Sequence, residues 1–384
     1  MKIILTQIGH PNFRGGGNIL AHKLCDEFFK KGHDVTGIFL SPEEFLNKTE
    51  GFNYNIIVIK GSKIPFINLF RCWKALISIF KMGEPDVVIS LGYEGLPVSY
   101  IKKKAFFIAA SHSPWLRYFG IKDLIFSKKL FFPSLWGKWL FDASFFLDRM
   151  TKMRADVIQS SCRFGIDQCI NIYGIPSEKT SVIPNGIDVN QFFIQKRTDE
   201  KNIIFWGGSV EYKGLDILVQ AMPEVLKQHS DANVIIVGDM TDQRGKMILN
   251  NASNLKVVGK LVMKGLIPQG QVKDCYKNIF LTVIPSRLDL SPMVALESMA
   301  SGVPIVASNV GGLSELVINK ENGLIVEKEN PQKLAEAIIY LFNNPIKAEE
   351  MGIRGRKIAE EEFIWEKIVE KFEKEIDKRI NNRV

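Results

Sequence analysis

The stretch from residue 279 to residue 307 constrains the fold of this chain most. Residues 279–284 are an apolar run rich in β-branched and aromatic side chains, which is the pattern of a buried strand. Ser291 is expected to cap the helix that follows, with Pro292 at its first position. Proline lacks an N–H, but the N–H at this position has no partner within a helix, so no hydrogen bond is lost. Gly302 is expected to end that helix before the next apolar run. This order predicts one unit of a doubly wound, mostly parallel α/β sheet.

The first turn of this helix is a predicted anion site. Backbone N–H groups are free in the first turn of a helix, and the positive end of the helix dipole adds to their attraction for a negative group. The residues of this turn are Ser291, Pro292, Met293 and Val294.

Two carboxylates accompany this turn. Glu297 stands alone among apolar residues on the helix, and Asp289 precedes it in the loop. A buried carboxylate is costly unless it has a partner. One interpretation of Glu297 is a structural ion pair with a lysine or arginine. The other is a carboxylate that accepts hydrogen bonds from two adjacent hydroxyls, such as those of a ribose, and the residues alone favour neither.

Length and composition bound the class of protein. The chain has 384 residues, of which 46% are apolar, enough for two domains with cores of their own. Its five cysteines are an odd, scattered set without disulfide or metal spacing, which is typical of a reducing compartment. The N-terminal apolar run meets charged residues too soon for a signal peptide, and no apolar window is long enough to span a membrane. We therefore expect a cytoplasmic protein.

The formal net charge of +8 predicts an acidic partner, either nucleotide phosphates, nucleic acid or an anionic membrane surface. No zinc finger, helix-turn-helix or aromatic RNA-binding signature favours nucleic acid. Residues 102–154 interleave aromatic with basic side chains, which suits an anionic bilayer interface, and residues 64–81 do so more weakly. The competing interpretation is that these rings fill a core. Peripheral contact with the inner face of the cell membrane is therefore a hypothesis.

A glycine-rich turn lies near the N-terminus. A predicted strand at residues 2–8 is followed by a loop with three consecutive glycines and then by a helix over residues 19–31. The spacing is not GxGxxG, so the dinucleotide fingerprint is absent. Three glycines after Arg14 indicate backbone that a ligand approaches closely. The three are Gly15, Gly16 and Gly17.

A histidine follows the apolar run at residues 105–109. Substrate groups gather at the carboxyl ends of strands in parallel sheets, which is where His112 is expected. A lone histidine is more often a satisfied structural residue, but this chain has only five. We favour a functional role for His112.

The second half of the chain repeats the strand–turn–helix pattern. Two apolar runs end at turns containing Gly208 and Gly238, and residues 255–261 predict another strand. Lys213 stands just before a predicted helix, where a cation and free N–H groups can together hold a diphosphate. The competing interpretation of Lys213 is a solvated turn lysine.

Three motifs resemble those of the retaining glycosyltransferases of family 4. Residues 285–286, Pro-Ser, precede two acids that are separated by seven residues, Asp289 and Glu297, and the family usually has Glu at the first of these positions. Residues 181–188, SVIPNGID, resemble the IPNGVD hinge of the family. The spacing from the glycine turn to Lys213 also matches the family.

The resemblance implies the GT-B fold, with two Rossmann-like domains whose mostly parallel sheets face a central cleft. It is strong from about residue 180 to residue 330 and looser before residue 160. It implies an N-terminal acceptor-side domain over residues 1–189 and a nucleotide-sugar-binding domain over residues 190–364. Residues 365–384 would form a helix that returns to the N-terminal domain.

The resemblance implies that the C-terminal domain binds the donor nucleotide. Glu297 would hold the ribose, and backbone groups at Lys260 and Leu261 would hold the base. Lys213 and the helix start at Ser291 would stabilise the charge that develops on the leaving diphosphate. The N-terminal glycine loop would lie against the same diphosphate.

The resemblance also implies which residues contact the donor sugar and that a second positive charge lies at the leaving diphosphate. Asp289 would contact hydroxyls of the donor sugar, with a side chain one methylene shorter than usual, and His112 would line the sugar pocket. The family has an arginine where this chain has Gly208. Either Arg14 or Arg287 then supplies the second positive charge, or donor turnover is weaker.

The function implied is a retaining hexosyltransferase without metal ion or cofactor, because protein cations and dipoles substitute for a metal. It would move a sugar from a UDP- or GDP-sugar to a glycan or lipid-linked acceptor in the synthesis of a cell-surface polysaccharide or glycolipid. The alternatives are a GT-B epimerase or phosphorylase, and a non-catalytic sugar-nucleotide-binding protein. The missing arginine favours the last of these.

Overall fold

The computed structural model describes residues 1–9, 16–47, 49–111, 135–194 and 199–381. The chain forms two compact α/β units, each built around its own parallel sheet. The first unit comprises residues 1–184 together with 365–384, and the second comprises residues 185–364.

Seven strands form the sheet of the first unit. They are β1 (Lys2–Ile8), β2 (Asp34–Ser41), β3 (Asn55–Lys60), β4 (Val87–Ser90), β5 (Phe106–Ala110), β6 (Val157–Ser160) and β7 (Thr180–Val182). Their order is β3-β2-β1-β4-β5-β6-β7, and neighbouring strands are parallel.

Six strands form the sheet of the second unit. They are β8 (Asn202–Trp206), β9 (Asn233–Val237), β10 (Leu261–Gly265), β11 (Leu281–Ile284), β12 (Ile305–Ser308) and β13 (Gly323–Val326). Their order is β10-β9-β8-β11-β12-β13, again parallel throughout.

Twelve helices connect or cover these strands within the described ranges. They are α1 (Gly16–Lys30), α2 (Pro65–Met82), α3 (Val98–Ile101), α4 (Leu135–Arg154), α5 (Arg163–Tyr173), α6 (Leu215–Gln228), α7 (Gln243–Asn254), α8 (Met293–Ala300), α9 (Leu313–Leu316), α10 (Pro331–Asn343), α11 (Pro345–Glu362) and α12 (Trp365–Asn381).

The central strands are buried on both faces. All four residues of β4 and all four of β12 are buried, as expected for parallel strands that helices cover on both sides. The last helix belongs to the core of the first unit, because the rings of Phe28 and Phe372 pack edge-to-face at 6.1 Å. Lys31 Nζ lies 3.0 Å from Glu373 Oε2 beside that contact.

Two predicted helix starts are wrong. Pro292, not Ser291, occupies the cap position of α8, no side chain caps that helix, and the first helical residue is Met293. At the N-terminus α1 already begins at Gly16, whereas the sequence predicts a loop as far as Asn18. Consecutive glycines are typical of loops, but tertiary packing decides whether the first turn of a helix includes them.

The strand predicted at residues 255–261 is also misplaced. Residues 258–260 form a 3₁₀ turn, and β10 begins only at Leu261. The apolar run continues through both segments, so its pattern does not fix where the strand begins.

The aromatic segment at residues 102–154 is only partly described. Phe106 and Phe107 are buried in β5, so for these two rings the core interpretation is correct. Residues 112–134 lie outside the described residues. Within the described ranges, no helix combines the length and apolarity needed to cross a bilayer.

Candidate active site

The candidate site lies where the strand order of the second sheet reverses. β8 and β11 are neighbours, but β9 and β10 are added on one side of them and β12 and β13 on the other. In parallel sheets, ligands bind at such a reversal, beyond the carboxyl ends of the strands. The loops that leave these two ends are residues 207–214 and 285–292.

These two loops are held together by their backbones. The Arg287 N–H donates to the Tyr212 carbonyl at 2.8 Å. A Cβ at Gly214 would overlap the carbonyl oxygen of Pro285, so only glycine allows the loops to approach this closely. Two side chains that are 76 positions apart in the sequence are thereby brought face to face.

Those side chains, Lys213 and Asp289, form an ion pair. Lys213 Nζ lies 2.7 Å from Asp289 Oδ2, and the two side chains are 20% and 12% exposed. Burial by itself lowers the pKa of Lys213, but the Asp289 carboxylate outweighs it and the pKa is raised. The Ser286 hydroxyl donates to the same Asp289 oxygen at 3.4 Å. The lysine is therefore held cationic at the reversal of the sheet.

Gly208, where the family has arginine, packs against the loop that follows β9. Its φ is +56°, and a Cβ there would overlap the carbonyl oxygen of Asp239. The Ser209 N–H donates to that carbonyl at 2.9 Å, and the Gly238 N–H donates to the Gly265 carbonyl at 2.8 Å. In this conformation of the loop a side chain at residue 208 would clash, so an arginine there would require the loop to move.

Arg287 is engaged with two carboxylates. Two of its guanidinium nitrogens donate to the two oxygens of Asp216 at 3.0 and 2.8 Å, and its Nε donates to Glu329 at 2.7 Å. These bonds, with that to Asp216 the largest cause, raise the pKa of Arg287 further. In the free chain these carboxylates balance the charge of Arg287, as Asp289 balances that of Lys213, and the hypothesis that Arg287 supplies the second positive charge stays a prediction. Arg14, the other candidate, lies outside the described residues.

Glu297 is buried on α8, with 6% of its surface exposed. Burial raises the pKa of its carboxyl to about 7, and a hydrogen bond from Tyr276 opposes that rise. Among the described residues, no lysine or arginine forms an ion pair with it. The ion-pair interpretation of Glu297 is therefore not supported in this part of the chain, whereas its role toward a ribose stays a prediction.

Tyr276 is a site residue that the sequence analysis does not identify. It is fully buried, and its ring stacks on that of Trp206 with a centroid separation of 6.2 Å. Its hydroxyl lies 3.2 Å from the Val294 carbonyl oxygen and also faces the Glu297 carboxylate, so its single proton can be donated to either of these acceptors. A single tyrosine in a polar segment gives no sequence signal that distinguishes this role from a core position.

Two buried polar atoms at the start of α8 lack a hydrogen-bond partner among the described residues. They are Ser291 Oγ and Asn185 Oδ1. The Asn185 amide donates to the Ser291 backbone carbonyl at 3.1 Å, which places the Asn185 side chain beside the start of α8. Because buried polar groups are normally satisfied, these atoms are candidates for bonds to a polar ligand. The turn signal Asn-Gly at residue 185 does not reveal this position in the sequence.

The structure does not bring Lys260 and Leu261 to this site. Leu261 opens β10, so both residues lie at the amino end of that strand, whereas the site lies beyond the carboxyl ends. Gly265 ends β10 and accepts the hydrogen bond from Gly238. The misplaced strand at residues 255–261 is the reason for this wrong assignment.

The sheet of the first unit has its own reversal, between β1 and β4. Gly16 and Gly17 begin α1, the helix that follows β1. A Cβ at Gly17 would lie 3.3 Å from Gln7 Nε2, so that glycine permits close packing on β1. The other predicted residues of this unit lie outside the described residues: Arg14, Gly15 and His112.

Two family models match the chain. Residues 14–191 match the model described as Glycosyltransferase Family 4, and residues 187–358 match the model described as Glycosyl transferases group 1. Together they include both loops of the candidate site. The chain belongs to glycosyltransferase family 4.

This family 4 glycosyltransferase resembles curated proteins. An uncharacterized glycosyltransferase of Methanocaldococcus jannaschii is 27% identical over 96% of each chain. A second one from that organism is 32% identical over 53% of this chain and 55% of its own. The D-inositol 3-phosphate glycosyltransferase of Acidothermus cellulolyticus is 30% identical over 53% of this chain and 49% of its own. In these last two matches, the chain spans about half the length of its relative.

Solved structures share the fold of this glycosyltransferase. Sucrose-phosphate synthase from Thermosynechococcus elongatus aligns with a TM-score of 0.82 and 19% identity over 99% of each chain. HepE of Anabaena, solved in complex with UDP and glucose, aligns with a TM-score of 0.75 and 16% identity over 98% of this chain and 99% of its own. With two Rossmann-like parallel sheets in the chain itself, the predicted GT-B fold is confirmed.

Proposed function

We propose that this glycosyltransferase moves a hexose-type sugar from a UDP- or GDP-sugar to a glycan or lipid-linked acceptor. Transfer retains the anomeric configuration and serves the synthesis of a cell-surface polysaccharide or glycolipid. The observation that carries the proposal is the Lys213–Asp289 pair at the reversal of the second sheet. HepE, solved with UDP and glucose, supports a sugar-nucleotide donor.

In this proposal Lys213 stabilises the leaving diphosphate. Cleavage of the bond between sugar and phosphate puts negative charge on the diphosphate oxygens, and a cation already positioned there lowers the barrier. In the free chain the charge of Lys213 is balanced by Asp289 at 2.7 Å. The diphosphate takes over that role, and Asp289 then accepts hydrogen bonds from hydroxyls of the sugar.

The start of α8 and Glu297 hold the nucleotide in the same proposal. The N–H groups of the first helical turn and the helix dipole attract the diphosphate. Ser291 Oγ and Asn185 Oδ1, both without a partner among the described residues, are available to polar groups of the donor. The ionised Glu297 carboxylate accepts hydrogen bonds from the two ribose hydroxyls.

We further propose that transfer needs no metal ion. Lys213 and the positive end of α8 supply the charge that a metal would otherwise provide. Transfer at an unchanged rate after treatment with EDTA and gel filtration is the expected result, and a loss that added Mg²⁺ or Mn²⁺ restores would contradict it.

We place the reaction in the cytoplasm, at the inner face of the membrane. None of the five cysteines, all of which lie in the described ranges, forms a disulfide, and four of them are buried, which is compatible with a reducing compartment. Detection of the chain in cytosolic or inner-membrane fractions of its native cells tests this, and recovery from an extracellular fraction would contradict it.

A second candidate function is sugar-nucleotide binding without catalysis. The observation that favours it is Gly208, whose packing against Asp239 excludes the arginine that the family has there. In the transferase proposal Arg14 supplies this charge. Activity that survives Arg14→Ala unchanged would show that a single cation is sufficient.

The test uses radiolabelled UDP- and GDP-hexoses, with and without acceptor extracts. Label transferred to an acceptor with its anomeric configuration kept supports the proposal. Label converted to another hexose without acceptor would indicate an epimerase, and tight binding without turnover would indicate the non-catalytic protein. Lys227→Ala, an exposed lysine paired with Glu224 on α6, is the matched control for any lysine variant.

A further inference from the structure

We propose that a face of the first unit formed by α2, α3 and α4 binds the surface of anionic lipid bilayers. We call it the aromatic–basic face and define it by Phe66, Phe70, Trp73, Lys74, Tyr100 and Arg154. The inference rests on the proposed placement at the inner face of the membrane and names the surface responsible for it. Lipid binding can be measured with no sugar donor present, so its failure would leave the proposed transfer reaction untouched.

The stripe on α2 begins with two exposed phenylalanines. Phe66 and Phe70 are 45% and 58% exposed and lie four residues apart, with the exposed Lys74 four residues further along. A spacing of four places all three side chains on one side of the helix. α2 contains three basic residues and no acidic residue, so this side carries a net positive charge.

Rings and cations are paired across the three helices. Lys74 Nζ lies 4.7 Å from the centroid of the Phe70 ring. The rings of Trp73 on α2 and Tyr100 on α3 stack with centroids 5.8 Å apart and planes at 14°. The Arg154 guanidinium of α4 lies 4.3 Å from the Tyr100 ring, which is itself half exposed. The three helices therefore present one continuous surface and not scattered apolar residues.

Acidic groups near this face are already engaged. Asp156 forms an ion pair with Lys102, and Asp148 forms one with Lys152. Glu84 accepts hydrogen bonds from the backbone N–H groups of residues 103–105, at 2.6 to 3.0 Å. None of these three described carboxylates is paired with Lys74 or Arg154, both of which are exposed.

An anionic bilayer complements this combination. Amphipathic rings such as Trp and Tyr settle at the level of lipid headgroups, and basic side chains are attracted to anionic lipids at the same depth. Single exposed apolar residues are common on any protein surface, but aromatic and basic residues paired across adjacent helices fit a lipid interface.

The experiment is flotation of the full chain with vesicles of phosphatidylcholine alone or mixed equally with phosphatidylglycerol. The chain should float with the mixed vesicles at low ionic strength and be released as salt rises. The face variant Phe70→Ser/Lys74→Glu should bind the mixed vesicles at least about tenfold more weakly than the unchanged chain. Ile346→Ser/Lys347→Glu, which makes the same type of change on α11 of the second unit, should bind like the unchanged chain.

Three outcomes would overturn the inference. The chain could fail to float with the mixed vesicles at low salt, or the face variant could float as well as the control variant. Flotation could also be absent while size exclusion shows a dimer that the face variant abolishes, which would assign this face to a second copy of the chain. Thermal unfolding of each variant checks that the exposed substitutions leave the fold intact, and activity assayed with a water-soluble acceptor tests the transfer proposal separately.

Discussion

Lys213 Nζ and Asp289 Oδ2 lie 2.7 Å apart on loops that leave the adjacent strands β8 and β11. The aspartate, where the family usually has glutamate, is long enough to reach the lysine. The contact also implies an exchange of partners, because a diphosphate bound by Lys213 must weaken its bond to Asp289. In the proposed function, the donor therefore opens this charge pair when it binds.

Donor affinity should depend on pH through Glu297. Burial raises the pKa of this carboxyl to about 7, and only the ionised form accepts both ribose hydrogen bonds. Donor affinity measured by calorimetry should fall as pH decreases below about 7 and level off above it. Glu297→Gln should bind the donor more weakly and should lose this fall in affinity at low pH, which we call the acid limb of the profile. If Glu297→Gln kept the same acid limb, another group would be the one that titrates.

Tyr276→Phe should shift the acid limb of the donor-affinity profile to higher pH. The Tyr276 hydrogen bond favours the ionised form of Glu297, so its removal raises the pKa of the carboxyl. Phenylalanine keeps the stacking on Trp206, which limits the loss of packing. The midpoint of the donor-affinity profile should rise, whereas Tyr340→Phe on the surface should leave it in place. An unchanged midpoint together with reduced thermal stability would indicate a purely structural tyrosine.

Placing the family's arginine at this position through Gly208→Arg should not increase the rate of transfer. The new side chain would overlap the Asp239 carbonyl, and φ is +56° at this position. We expect a loss of roughly 2 kcal/mol or more in the free energy of unfolding, together with lower transfer. Gly259→Arg is the matched control, because a Cβ there meets no atom within 4 Å. Higher transfer by Gly208→Arg at unchanged stability would contradict this explanation of the missing arginine.

Glu94→Gln should stabilise the first unit at neutral and higher pH. Burial raises the pKa of this carboxyl to about 7 from an ordinary value of 4.5, so the folded chain holds the proton more tightly than the unfolded chain. Its contribution to stability is therefore complete below about pH 4.5 and declines as pH rises to about 7. The gain from the substitution should be larger at pH 8 than at pH 5, by up to about 3 kcal/mol.

Urea unfolding at the two pH values measures this difference. The exposed Glu349→Gln is the matched control and should show no such change. An equal effect of Glu94→Gln at both pH values would mean that the carboxyl titrates normally in the folded chain.

The sequence predicts the two-sheet architecture well for a physical reason. Strands such as β11 and β12 are buried on both faces, so each appears as a short apolar run between turn residues. Local signals are weaker at element ends. The apolar run around residue 260 continues past a 3₁₀ turn into β10. The sequence therefore predicts the strand too early, and it predicts Lys260 and Leu261 at the carboxyl end of that strand, whereas they lie at its amino end.

Contacts between distant residues are not predictable from one sequence. Motif spacing predicts Lys213, Asp289 and Glu297 as site residues, but nothing in it indicates that the first two form a pair. The sequence analysis names Arg287 as a candidate for the second positive charge but gives no sign that it is bound by Asp216, 71 positions away. Tyr276 lies outside every motif and reaches the site only because β11 and α8 pack around it.

The most direct test of the central claim compares donor binding and single-turnover transfer in Lys213→Ala and Lys227→Ala. Since Lys213 is proposed to hold the leaving diphosphate, Lys213→Ala should slow transfer by ~10²-fold or more, with the fold intact, whereas Lys227→Ala should match the unchanged chain. Transfer by Lys213→Ala at a near-normal rate would contradict the claim that the charge pair at the β8–β11 reversal is the catalytic centre.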